Sequence, residues 1–118
     1  MYKMESRPGV FIITVSGFIK EDEAHAFIND YKATIKKIVP SQTSLILDGS
    51  KLATSSQDML PILESCLKMY VADNFKEIYL TEIELATTTM QLRKLNADQF
   101  FNRIKMVKSV NEALAQIK

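Results

Sequence analysis

The densest run of side chains able to do chemistry lies between Asp48 and Asp58, and reads Asp48-Gly49-Ser50-Lys51-Leu52-Ala53-Thr54-Ser55-Ser56-Gln57-Asp58. It follows a short apolar run, Leu45-Ile46-Leu47, and leads into a stretch with helical spacing from about Gln57 to Val71. Open α/β sheets hold ligands outside the carboxyl ends of their strands. A helix N-terminus offers free N–H groups and a positive field to an anion. The same hydroxyls and carboxylates also serve as plain helix caps, with Ser56 or Asp58 as the N-cap here. The chemistry on offer is recognition rather than bond-making. Ser50, Lys51, Thr54, Ser55, Ser56 and Asp58 are the candidate partner-binding residues, and Ser55 and Ser56 are candidate phosphoryl acceptors.

Other reactive types are scarce. There is one His and one Cys. His25 falls near the acidic start of a helix, with no Ser, Cys or second His at a useful spacing, so it reads as a surface side chain. Cys66 shares an apolar stripe with Leu63 and Leu67, which suits core packing better than a reactive thiol. With this inventory a zinc site has no ligand set, and no metal is expected. No Gly-x-Gly-x-x-Gly or Walker-type loop occurs, so no nucleotide cofactor is expected. Arg93, Lys94, Arg103, Lys105 and Lys108 read as a solvated face rather than a nucleic-acid footprint. An enzyme is not expected.

Composition points the same way. Fifteen Lys and Arg against fourteen Asp and Glu give a formal charge of +1, which supports neither bulk nucleic-acid binding nor a membrane-surface role. Hydrophobic residues make up 47% of the 118 positions, enough for one globular domain spanning residues 1–118 with a buried core. A lone cysteine forms no internal disulfide. The first residues carry no apolar signal-peptide core. The longest apolar run, Val10 to Ile13, falls far short of the ~20 residues of a membrane span. A cytoplasmic protein is expected.

The elements that must position these residues follow from patterning. Tyr2–Glu5 and Val10–Ser16 flank Arg7-Pro8-Gly9 and read as an antiparallel hairpin with a type II turn. Lys20–Lys37 reads as a helix. Acidic Glu21, Asp22 and Glu23 lie at its start, basic Lys32, Lys36 and Lys37 at its end, and Pro40 stops it. Ser44–Asp48, bounded by Gly49, reads as a central buried strand. The next helix must hold Pro61 in its first turn. Phe75–Leu80 reads as a strand and Ala86–Leu95 as a helix, with Phe100-Phe101 an apolar knob in a loop. Arg103–Val107 reads as the last strand, and Ser109 with Glu112 forms a capping box for a terminal helix. The order ββαβαβαβα predicts an α/β domain, a mostly parallel sheet of about five strands with four helices. Exposed edge strands leave a homo-oligomer compatible with this pattern.

The loop and the element order resemble the STAS-type fold of bacterial anti-sigma-factor antagonists. They resemble more closely its SpoIIAA-like branch, which is grouped with lipid-binding SEC14-type domains. The resemblance covers nearly the whole chain. It rests on Gly17-Phe18-Ile19, Leu45-Ile46-Leu47-Asp48, Phe75 to Leu80 and Ser109 to Ile117. In the antagonists, the loop after the central strand carries Asp-Ser-Ser-Gly, whose second serine a partner kinase phosphorylates. Counted without gaps from Asp48, that motif falls on Ser56-Gln57-Asp58-Met59, followed by apolar Leu60, Ile62 and Leu63. Asp58 then stands in the serine position, with about one negative charge where phosphoserine carries nearly two. A register on Ser55 and Ser56 instead puts Asp58 and Pro61 on apolar positions. The resemblance implies a non-enzymatic module with an anti-sigma-factor-like protein partner and without the usual phosphorylatable serine. It also implies an alternative, a small carrier or sensor of an apolar, lipid-like ligand held by Met and Phe side chains between sheet and helices.

Overall fold

A computed structural model describes residues 1–117. Five strands form one sheet in the order β1-β2-β3-β4-β5: β1 (Tyr2–Arg7), β2 (Val10–Gly17), β3 (Ser44–Leu52), β4 (Glu77–Thr81) and β5 (Ile104–Val107). β1 pairs antiparallel with β2, and every later pair is parallel. The hairpin turn places Gly9 at a φ of 77°, where only glycine is comfortable, as the Pro-Gly sequence predicts. The helices are α1 (Glu21–Ile35), α2 (Leu60–Ala72), α3 (Ala86–Arg93), α4 (Asp98–Arg103) and α5 (Val110–Gln116).

The period-2 pattern of the strands sorts the core into two layers. Phe11, Ile13, Leu45, Leu47, Ile78 and Leu80 face the helices α1 to α4. Val10, Ile12, Ile46, Tyr79 and Val107 face the other way, onto Ala113 of α5. α5 starts where the capping signal places it, with the Ser109 hydroxyl accepting from the Glu112 N–H at 3.2 Å.

Three expectations are corrected. Among the described residues there are five α-helices, not four, because Phe100-Phe101 lies in α4 rather than in a loop. The Phe100 and Phe101 N–H groups both donate to the Ala97 carbonyl, and Phe100 is buried beside Tyr70. β3 does not stop at Gly49 but runs on to Leu52. Its pairing with β2 shifts register between Thr14 and Ser16, so Gly49 and Ser50 together oppose Val15 in a bulge. The extra residue turns Leu52 into the core and leaves Lys51 exposed. Finally, α2 is preceded by a 3-10 turn, Gln57–Met59, and neither Ser56 nor Asp58 makes a side-chain cap. Pro61 does sit in the first turn of α2.

Candidate functional site

The bulge rearranges the polar run. Asp48, Ser50 and Lys51 belong to the end of β3, and only Ala53 to Ser56 form the connecting loop. Asp48 organises the bulge: its Oδ1 accepts from the Ser50 hydroxyl at 2.9 Å, the Ser50 N–H at 3.3 Å and the Thr81 hydroxyl at 3.3 Å. The Gly49 N–H, displaced from regular pairing, donates to Thr81 Oγ1 at 3.1 Å. Ser50 is thereby tied inward rather than presented outward.

The rest of the run is fastened to the segment that follows β4. The Lys51 ammonium pairs with Glu84 at 2.7 Å, an exposed ion pair worth little on its own. The Ser50 carbonyl accepts from the Glu84 N–H at 3.0 Å. The Thr54 hydroxyl meets those of Thr87 at 2.8 Å and Thr88 at 3.1 Å, and Thr88 in turn donates to the Leu52 carbonyl at 3.2 Å. Ser55 is only 7% exposed. Its N–H donates to Gln91 Oε1 at 2.9 Å and its carbonyl accepts from Gln91 Nε2 at 2.7 Å.

Of the six candidate residues, Lys51, Ser56 and Asp58 are exposed, Ser50 and Thr54 are half-buried and already hydrogen-bonded, and Ser55 is enclosed. Sequence reasoning missed Thr87, Thr88 and Gln91, which hold the loop. For the two threonines the signal was present as the Thr87-Thr88-Thr89 run, poor helix formers by propensity; the Thr87 and Thr88 hydroxyls here bridge two segments.

The other candidates stay apart. His25 lies exposed on α1, 3.5 Å from Glu21. Cys66 is buried on α2, and burial pushes its thiol up to about 11, away from the thiolate that a nucleophile needs. Arg93 stacks over Phe101, the Arg103 guanidinium donates to the Phe75 carbonyl, and Lys105 pairs with Glu77, so the basic residues are dispersed among separate partners. Among the described residues no group of three or more His, Cys, Asp and Glu could hold a metal ion, and no helix is long and apolar enough to cross a membrane.

Neither a family model nor a curated protein matches the sequence. Solved structures do. An anti-sigma factor antagonist from Mycobacterium paratuberculosis superposes with a TM-score of 0.66 at 18% identity, covering 99% of this chain and 92% of its own. The anti-sigma factor antagonist SpoIIAA in its unphosphorylated form gives 0.71 at 9% identity, covering 99% and 96%. The Bacillus cell fate determinant SpoIIAA in its phosphorylated form gives 0.68 at 10% identity over the whole of both chains. At these identities the likeness is one of fold: the chain has the SpoIIAA-like, STAS-type architecture.

Proposed function

We propose that this chain is a non-enzymatic protein-interaction module of regulatory type, whose partner resembles an anti-sigma factor and docks at the carboxyl end of the sheet. The contact surface is Lys51, Ser56 and Asp58 with the solvent-facing side of α2, supported from beneath by Ser50, Thr54 and Ser55. The observation that carries this reading is the fastening to α3 of the polar loop that presents Ser56, through Thr54, Ser55, Thr87, Thr88 and Gln91. A pre-ordered loop loses little freedom on binding, so more of the contact energy appears as affinity. The fold supports the same reading, since structures it matches are anti-sigma factor antagonists.

In this reading Asp58 supplies a fixed negative charge at the start of the helical segment. Of the two serines, Ser56 has the accessible surface, so a regulatory phosphate belongs there rather than on enclosed Ser55. The module is cytoplasmic in this account and needs no cofactor. The test is retention of a native partner by the whole chain carrying Lys51→Glu and Ser56→Trp. Loss of retention with the fold intact supports this surface, and unchanged retention removes it.

A further inference from the structure

The layer between the sheet and the helices is not completely filled. A cavity of about 110 Å³ lies there, walled by side chains of β2, β3 and β4 on one side and of α1, α2 and α4 on the other. Tyr2, Ile83 and Phe101 are half-buried residues of its wall, and they give it a rim. Gly49 forms part of the sheet side. A Cβ at that position would meet Val15, Ile83 and Leu52 only at 3.9–4.0 Å, ordinary contact distances. The glycine is therefore not demanded by crowding, and its missing side chain leaves the space open.

No charged side chain lines the cavity. Tyr70 does, and it is 95% buried, being 5% exposed. Buried tyrosine hydroxyls usually find a partner, as Tyr31 does in donating to Asp73 at 2.6 Å. Among the described residues the Tyr70 hydroxyl has no such side-chain partner: burial and the neighbouring Cys66, not a hydrogen bond, push its ionisation upward. Yet among the described residues every sealed polar side-chain atom is satisfied. The Tyr70 hydroxyl is therefore not sealed, and the cavity is the open space that Tyr70 lines.

We propose that this cavity is a binding site for a small neutral molecule, ring-sized and apolar, with one polar atom that pairs with the Tyr70 hydroxyl. An apolar cavity of roughly 150 Å³ takes up benzene in an engineered protein, so the volume here suits a ligand of that scale. A charged ligand would shed its hydration with no counter-charge in the wall. The volume also falls far below that of a two-chain lipid, which narrows the apolar-ligand expectation from lipid carriage to sensing of a small molecule. This site is independent of the partner-docking surface, and either can fail without the other.

The test is a titration of the whole chain, followed by amide NMR shifts, with benzene, phenol and benzoate up to the solubility limit of benzene. Benzene and phenol are expected to give saturable shifts confined to residues around the cavity, phenol binding more tightly and benzoate not at all. Tyr70→Phe is expected to weaken phenol about five- to tenfold, the worth of one hydrogen bond, while leaving benzene within about twofold. Gly49→Val, or Cys66→Leu from the opposite wall if the first variant does not give a folded spectrum, is expected to abolish both. The proposal is overturned if native protein shows no saturable shift with benzene or phenol. It is equally overturned if benzoate binds as well as phenol, if Tyr70→Phe leaves phenol binding unchanged, or if a folded plugged variant still binds.

Discussion

Gln91 closes both backbone hydrogen bonds of Ser55, its Oε1 accepting from the N–H at 2.9 Å and its Nε2 donating to the carbonyl at 2.7 Å. One side chain on α3 thus replaces the strand neighbour that Ser55 lacks after β3 ends. Because Ser55 is enclosed, water cannot easily take over either bond.

Removing that clamp has a definite cost. Gln91→Ala leaves a buried N–H and a buried carbonyl without partners, and a loss of about 1–3 kcal/mol in urea unfolding is expected. Gln91→Glu keeps the acceptor but loses the donor and sets a carboxylate against the Ser55 carbonyl, so it also destabilises. Hydrogen exchange at the Ser55 amide should accelerate in both variants by more than global stability explains. Equal acceleration at the Tyr79 amide in the sheet core would contradict a local clamp.

Tyr31 and Tyr70 stack edge to face with ring centroids 5.5 Å apart, yet only Tyr31 donates to a carboxylate. Tyr31→Phe removes the bond between α1 and the end of α2, leaves Asp73 short of a donor, and should cost about 1–2 kcal/mol. Tyr70→Phe removes a hydroxyl without a side-chain partner and should cost less than about 0.5 kcal/mol. Comparable losses in the two variants, measured by urea unfolding, would contradict the assignment.

Alkaline conditions should destabilise the fold in a set order. Burial raises the Cys66 thiol from 9.0 to about 11, so its contribution is fully present below pH 9. Between pH 9 and 11 the unfolded chain gives up the proton while the folded chain keeps it, and stability falls by up to about 1.4 kcal/mol per pH unit. Tyr31 and Tyr70, both raised by burial with Tyr31 also held by Asp73, add their own loss above pH 10. Urea midpoints measured across pH 8 to 11 should decline, and Cys66→Ala should flatten the decline between pH 9 and 10. A flat profile through that range contradicts the account.

Where the sequence and the structure agree, the signal is local. The Pro-Gly turn, the acidic start of α1, Pro61 in the first turn of α2 and the Ser109 cap each depend on neighbours a few residues away. Where they differ, the cause is a partner distant in sequence. Gly49 reads as a strand terminator by composition, but Val15 and Thr81 make it a bulge. α4 is six residues long, too short for a periodicity, and packs Phe100 against Tyr70. The exposure of Lys51, Ser56 and Asp58 agrees with their polar side chains. The burial of Ser55 was not legible, because it depends on Gln91, thirty-six positions away.

In the proposed function a protein partner docks on the surface of exposed Lys51, Ser56 and Asp58. The most direct measurement places a photo-crosslinking residue at position 56 in the whole chain and, as a control, at Ser6 on the edge strand β1, in cells that make the protein. One protein species is expected to crosslink from position 56 and not from position 6, and to be lost when Lys51→Glu is added to the folded chain. Crosslinking that is absent at position 56, or the same from both positions, would contradict it.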